Sequence, residues 1–438
     1  MPHRHHLAVR SHRWEHTPGN LRMSDTRTPG MAPLKGVRIV DLCMGWAGPL
    51  ATRHMADMGA DVIKVESCER FDWWRSWEAT PEWIEDDGAE KSVAFNTVNR
   101  NKRDITLDLE HPEGRQLLLQ LVGTANAVVE NYSGGVLPKL NLGFEEFKQA
   151  KEDIILLSMP AFGSNGPWKN FRAYGSTVEQ ASGLPHLNGE SDDPPTMHHV
   201  AYGDANGGLN GAAALLVALR HQNRTGEGQF VDLSQVESMF ALAVHGILEY
   251  AATETAPART GNASQSMAPH GTYPCKEEDS WVVIQIMDEN QWQRLQQLVG
   301  NPLQQFGVLA DRIKKRERLD QTISIWTQDQ DARELMFRLQ QSGVPAAATH
   351  TSAGLLGDEH LRSRGYWQWL ERAVVGRQPN PSPPYRQGPD PYAISSPAPT
   401  LGQHNEEVLG DILGLDASEL ARLEAMGIIG KRPRMRTG

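Results

Sequence analysis

One aspartate in this chain of 438 residues stands where a carboxylate could act on a ligand. Asp204 lies in the run His198-His199-Val200-Ala201-Tyr202-Gly203-Asp204-Ala205-Asn206-Gly207-Gly208, ahead of an apolar stretch, Leu209 to Leu219, that reads as a helix. Small neighbours let backbone N–H groups and a bulky ligand approach such a carboxylate closely. Two roles are open to it: an N-cap that accepts hydrogen bonds from the first-turn N–H groups, or a nucleophile held against an electrophilic carbon. Other chemistry-bearing stretches are less pointed. Asn99-Arg100-Asn101-Lys102-Arg103 is a basic turn that could bind phosphate or simply be a solvated charge run. Trp73, Trp74, Trp77 and Trp83 could line an apolar acyl pocket or cover a core.

The elements that must position these residues alternate strand and helix. Val37–Leu42 is a short β-branched strand, Met44–Pro49 a turn, Leu50–Met58 a helix stopped by Gly59, and Asp61–Glu66 a second strand. This βαβ order implies a parallel sheet with ligands near the carboxyl ends of its strands. The turn lacks G-x-G-x-x-G, so the dinucleotide fingerprint is missing. Further strands are expected at Ile105–Leu109, Ala127–Glu130, Ile154–Met159 and Gln229–Leu233, with a helix opened by Pro112 and a long one over Gln235–Ala252. Strands at Trp281–Met287 and Ala346–Thr349 flank a largely helical region. Frequent prolines between Gln378 and Pro399 mark a linker or crossing segment, and Glu406–Ile429 is helical in pattern.

The length exceeds one compact core and implies two or three domains, or one large domain with an insertion. A formal net charge of −11 argues against nucleic acid or an anionic membrane as partner, while leaving room for a local basic pocket. Cys43, Cys68 and Cys275 are odd in number, far apart and in no metal-ligand spacing, which fits free thiols in a reducing, cytoplasmic setting. No apolar run reaches the roughly 18 residues of a membrane span. Residues 1–30 carry His3, His5, His6, His12 and His16 without apolar periodicity or a secretory apolar segment; they read as a disordered tail, with Met23 an alternative start.

Taken together, these turns resemble the family III CoA-transferases, a group that includes formyl-CoA and carnitine CoA-transferases and, as relatives, the α-methylacyl-CoA racemases. The resemblance rests on Pro33–Leu42, Ala47-Gly48-Pro49, Gly59–Glu66, Asn99–Arg103, Val129–Tyr132, Phe162–Pro167, Gly203-Asp204, Thr225–Gln229, Pro269-His270-Gly271 and Leu401–His404. Each motif is weak alone; the ordered series is specific. It implies a Rossmann-like large α/β domain built from both chain ends (31–228 and, after a linker, 365–438), an inserted smaller α+β domain (229–364), and an interlocked ring-like homodimer. It also implies that Asp204 is the nucleophile, passing through a mixed anhydride and an aspartyl-CoA thioester, with coenzyme A entering as substrate and no tightly bound cofactor or metal. CoA contacts are implied at Trp46, Ala47, Leu107, Asp108, Asn131, Tyr132, Ser133, Lys139, Arg172, Ala173 and Tyr174.

The chain departs from the family at three places. Trp46 replaces a polar residue of formyl-CoA transferase, and Asn262–Ala268 takes the place of its glycine-rich flap. Gly175 stands where many members carry an acid, with Glu179 one helical turn on as a substitute or as a solvated or structural residue. These features point away from formyl or oxalyl groups and, through the tryptophans, toward an apolar or aromatic acid. An acyl-CoA racemase and a silent subunit of a heteromer are the alternatives.

Overall fold

The computed structural model describes residues 32–198 and 201–435. The expected tail at 1–30, and His199 and Val200 of the central run, lie outside the described residues. Strands β1 (Arg38–Asp41), β2 (Asp61–Glu66), β3 (Arg103–Thr106), β4 (Ala127–Glu130), β5 (Ile155–Ser158) and β6 (Gln229–Asp232) form one sheet in the order β3-β2-β1-β4-β5-β6. Every neighbouring pair is parallel. This is the doubly wound order, in which ligands bind past the strand carboxyl ends where the order reverses, here between β1 and β4.

Alternation along the strands gives each face its own core. Ile39, Val62, Val129 and Leu157 face the helix α1 (Ala47–Asp57) and, across the sheet's later strands, the long helix Tyr202–Thr225. Val40, Ile63, Val128 and Leu156 face α2 (Pro112–Val122) and α3 (Phe144–Ala150). Pro112 opens α2 at its first position, as its fixed φ favours. A short helix, α4 (Gly175–Ala181), precedes α5 (Tyr202–Thr225) and α6 (Gln235–Thr253).

The start of α5 differs from the expectation of a helix beginning near Leu209. Gly207 and Gly208 are not a loop but a contact face: a Cβ on Gly208 would lie 2.7 Å from the Ala47 carbonyl and 2.9 Å from Leu50. Close helix packing outweighs the helix-propensity cost of about 1 kcal/mol per glycine. A boundary at residue 229 is also corrected, because β6 is hydrogen-bonded to β5 as the edge of the large sheet. The tight turn at Gly226, φ +73°, lets α5 return directly into that strand.

A second, antiparallel sheet contains β7 (His270–Pro274), β8 (Trp281–Gln285) and β9 (Ala346–Ala348). It packs on α7 (Glu289–Val299), α8 (Arg316–Thr327) and α9 (Ala332–Gln341) around Val282, Ile284, Trp292, Leu319 and Leu335. Part of the proline-bearing segment is a hairpin, β10 (Trp367–Arg372) with β11 (Gly376–Pro381). Prolines are tolerated there because a two-stranded ribbon has free edges. The chain then returns to the large sheet: Thr106 N–H donates to Asn405 Oδ1 at 2.9 Å, and Val408, Leu409 and Leu423 of the terminal helical segment complete the core over α2.

Candidate active site

Two turns meet at the reversal point between β1 and β4, and each is fixed by buried polar bonds. After β1, Gly45 N–H donates to Asp72 Oδ1 at 2.8 Å, and Lys64 Nζ donates to the Cys43 carbonyl at 2.6 Å. Lys64 and Asp72 form a fully buried ion pair at 2.9 Å. After β4, Asn131 accepts from Met44 N–H and donates to its carbonyl, both at 2.8 Å, latching the two turns together. The first turn ends at Ala47, the first residue of α1.

Asp204 reaches this junction from the first turn of α5. Ala201 holds the N-cap position and, among the described residues, no side chain caps the helix, so Asp204 does not take the capping role. The carboxylate instead accepts backbone N–H bonds from Gly175 and Ala47, the first residues of α4 and α1. Burial pushes its pKa from 3.8 up to about 6, against the pull of those two donors. At neutral pH the group is therefore ionised, poorly hydrated and fixed in place. Gly175 is required by this geometry: a Cβ there would overlap Asp204 Oδ2 and lie 2.8 Å from its Cγ.

Asp204 lines a cavity of about 290 Å³ together with Met44, Trp73, Arg172, Tyr174 and Gln235. The aromatic wall is continuous. Trp73 stacks on Trp77 with ring centres 4.5 Å apart, and both rings meet Tyr174 edge-on, at 5.6 and 5.5 Å. Tyr132 and Ser133 line this cavity and also a neighbouring one of about 530 Å³, whose wall includes Glu130, Phe144, Lys169 and Phe230. Glu130 accepts hydrogen bonds from Ser158 and from Tyr132 N–H, and burial pushes its pKa up to about 7.

A strand-end site with a carboxylate held by backbone donors, beside two cavities that share Tyr132 and Ser133, agrees with what the comparisons find. The family model for CoA-transferase family III matches residues 34–405. The chain belongs to that family. It is 33% identical over 411 residues to succinyl-CoA–D-citramalate CoA-transferase of Chloroflexus aurantiacus, covering 93% of this chain and 100% of that protein. Succinate–glutarate CoA-transferase of Agrobacterium fabrum is 32% identical, covering 87% and 96%. A solved CAIB/BAIF family protein from Brucella suis superposes with a TM-score of 0.77 at 30% identity, covering 86% of this chain and 99% of that one. The chain is thus a CoA-transferase, as the ordered motifs implied.

Within the family III framework, the expected contact residues divide into two groups. Ala47, Asn131, Tyr132, Ser133, Arg172, Ala173 and Tyr174 gather around Asp204 or its cavity. Asn131 has its side chain committed to Met44, and Trp46 packs against Trp74 at 5.2 Å. Leu107, Asp108 and Lys139 line neither cavity: Leu107 is in the core, Asp108 N–H donates to the Ile428 carbonyl, and Lys139 is exposed on a short helix. Glu179 is not solvated. It is fully buried and accepts from the His198 backbone N–H at 2.6 Å and contacts His198 Nδ1 at 2.9 Å. Sequence reasoning missed the N–H of Gly175 as a partner of Asp204, since a backbone donor leaves no residue-type signature. It also missed the buried Lys64–Asp72 pair.

Proposed function

We propose that the chain moves CoA from an acyl-CoA thioester to a free carboxylate through covalent intermediates on Asp204. An Asp204 oxygen attacks the thioester carbon and CoA thiolate leaves, giving a mixed anhydride. The thiolate then attacks the aspartyl carbonyl, releasing the donor acid with that oxygen and leaving an aspartyl-CoA thioester. The acceptor carboxylate attacks this thioester, and the returning thiolate takes the acceptor's carbonyl. No proton or ATP is consumed. The observation that carries this reading is the placement of Asp204: ionised at neutral pH, half-buried, and bonded to two N–H groups that can also hold the oxyanion of each addition step.

Coenzyme A reaches Asp204 past Tyr132 and Ser133, the residues common to both cavities. The named relatives share succinyl-CoA or succinate as a reactant, which makes succinyl-CoA the first donor to test here. A racemase needs an acid–base pair facing the substrate, and the Glu179–His198 pair lines neither cavity. Exposed apolar side chains along α6, among them Ile247, Leu248 and Tyr250, support a homodimer. The mechanism is tested with an acceptor acid labelled with oxygen-18 in its carboxylate. One labelled oxygen per turnover is expected in the released donor acid, carried there by Asp204. Label confined to the product thioester, or solvent oxygen in the acid, would refute it.

A further inference from the structure

Among the described residues that line the Asp204 cavity, Arg172 is the one cation, and Asp204 the one anion. The two do not neutralise each other: among the described residues no cation acts on the Asp204 carboxylate, whose partners there are backbone N–H groups. Among the described residues Arg172 makes no hydrogen bond or ion pair, whereas the guanidinium groups of Arg75, Arg100, Arg312 and Arg372 are all paired with carboxylates. In a chain with 54 acidic and 43 basic side chains, an unpaired arginine on a cavity wall is a vacancy for an anion.

We infer that Arg172 holds a second carboxylate on the acyl group, making this a transferase for short dicarboxylic acids. The inference rests on the transferase reading above. Rings of Trp73, Phe171 and Tyr174 and the Met44 side chain share the rest of the cavity wall with Asn131, Ser133 and Gln235. A carboxylate entering such walls gives up part of its hydration, and a guanidinium replaces it in bidentate form. A monoacid of equal length leaves the exposed Arg172 guanidinium to water and gains nothing from it. The cavity of about 290 Å³ suits a short chain, and the carboxyl carbons of a four- or five-carbon diacid lie roughly 4–5 Å apart. The family resemblance counted Arg172 among the CoA contacts; the cavity it shares with Asp204 assigns it to the acyl end. The acid is thereby dicarboxylic rather than aromatic, with the indole rings forming walls.

Single-turnover formation of the protein–CoA adduct from succinyl-CoA and from butyryl-CoA, the matched monoacid, separates these roles. The wild-type protein is expected to favour succinyl-CoA by about 30-fold or more, the range set by one charged hydrogen-bonded partner. Arg172→Ala is expected to erase that preference by slowing succinyl-CoA alone, and Arg172→Lys to restore part of it. An equal loss with both thioesters, accompanied by weaker calorimetric binding of free CoA, would overturn the inference in favour of a phosphate contact. An unchanged preference would overturn it outright. Should the wild-type protein form no adduct, the transferase reading is what fails. Calorimetric binding of the same two thioesters to Asp204→Ala, with and without Arg172→Ala, then reads the clamp independently. A succinyl-CoA preference lost with Arg172 upholds it, and equal affinities refute it.

Discussion

Asp204 is useful because the fold holds it in a state that water would relieve. Its pKa near 6 means that the donor half-reaction, which needs the ionised form, is expected to fall about tenfold per pH unit below 6. A rate profile flat down to pH 4.5 would contradict this. The same shift has a stability consequence. The folded value lies above the ordinary 3.8, so the contribution of this group to stability is full below about 4 and is lost as pH rises through about 6. Asp204→Asn is therefore expected to unfold later than wild type at pH 8, by at most about 3 kcal/mol, with the difference closing near pH 4. Calorimetric melting at the two pH values measures it. Gly175→Ala places a methyl group against Asp204 Oδ2, and is expected to lower kcat about 100-fold while the protein still folds. Wild-type kcat in that variant would show that the Gly175 contact is dispensable.

At the scale of elements, the site depends on two turns, one backed by a buried charge pair and the other latched to it by Asn131. Removing one partner of the Lys64–Asp72 pair strands the other without solvent, so Asp72→Asn is expected to cost about 3–5 kcal/mol. Lys64→Met with Asp72→Leu should cost less than either single change, as coupled sites do. Denaturant melts of the three variants decide it. The strands Asp61–Glu66 and Ala127–Glu130 were legible in the sequence to the residue, because β-branched runs between turns have few other readings. The first two turns of α5 were not, because glycines at a helix–helix contact look like a loop until the partner helix is in view. The ordered motifs pointed to Asp204 and to Tyr132, Ser133, Arg172 and Tyr174, which the structure brings to one cavity. What no pattern reported was the charge pair behind the first turn, whose members are eight residues apart in sequence and joined only by burial.

The whole molecule brings the first and last parts of the chain to one sheet. Arg372 pairs with Glu90 at 2.7 Å, and Asp104 N–H donates to His404 Nδ1 at 3.0 Å, so the terminal segment completes the large core. The dimer remains a proposal about α6, where Leu248 is 62% exposed and Ile247 52%. Light scattering is expected to give twice the chain mass of 48.6 kDa, and Leu248→Glu with Ile247→Glu is expected to give the single-chain mass or insoluble protein. A wild-type monomer would refute it. The central claim, that Asp204 carries the group being moved, has one direct test. The purified protein is mixed with succinyl-CoA, quenched with hydroxylamine, digested and searched by mass spectrometry. The account predicts an aspartyl hydroxamate at Asp204, absent without thioester and absent in Asp204→Ala. Steady-state CoA transfer with no mark on the Asp204 peptide would contradict it.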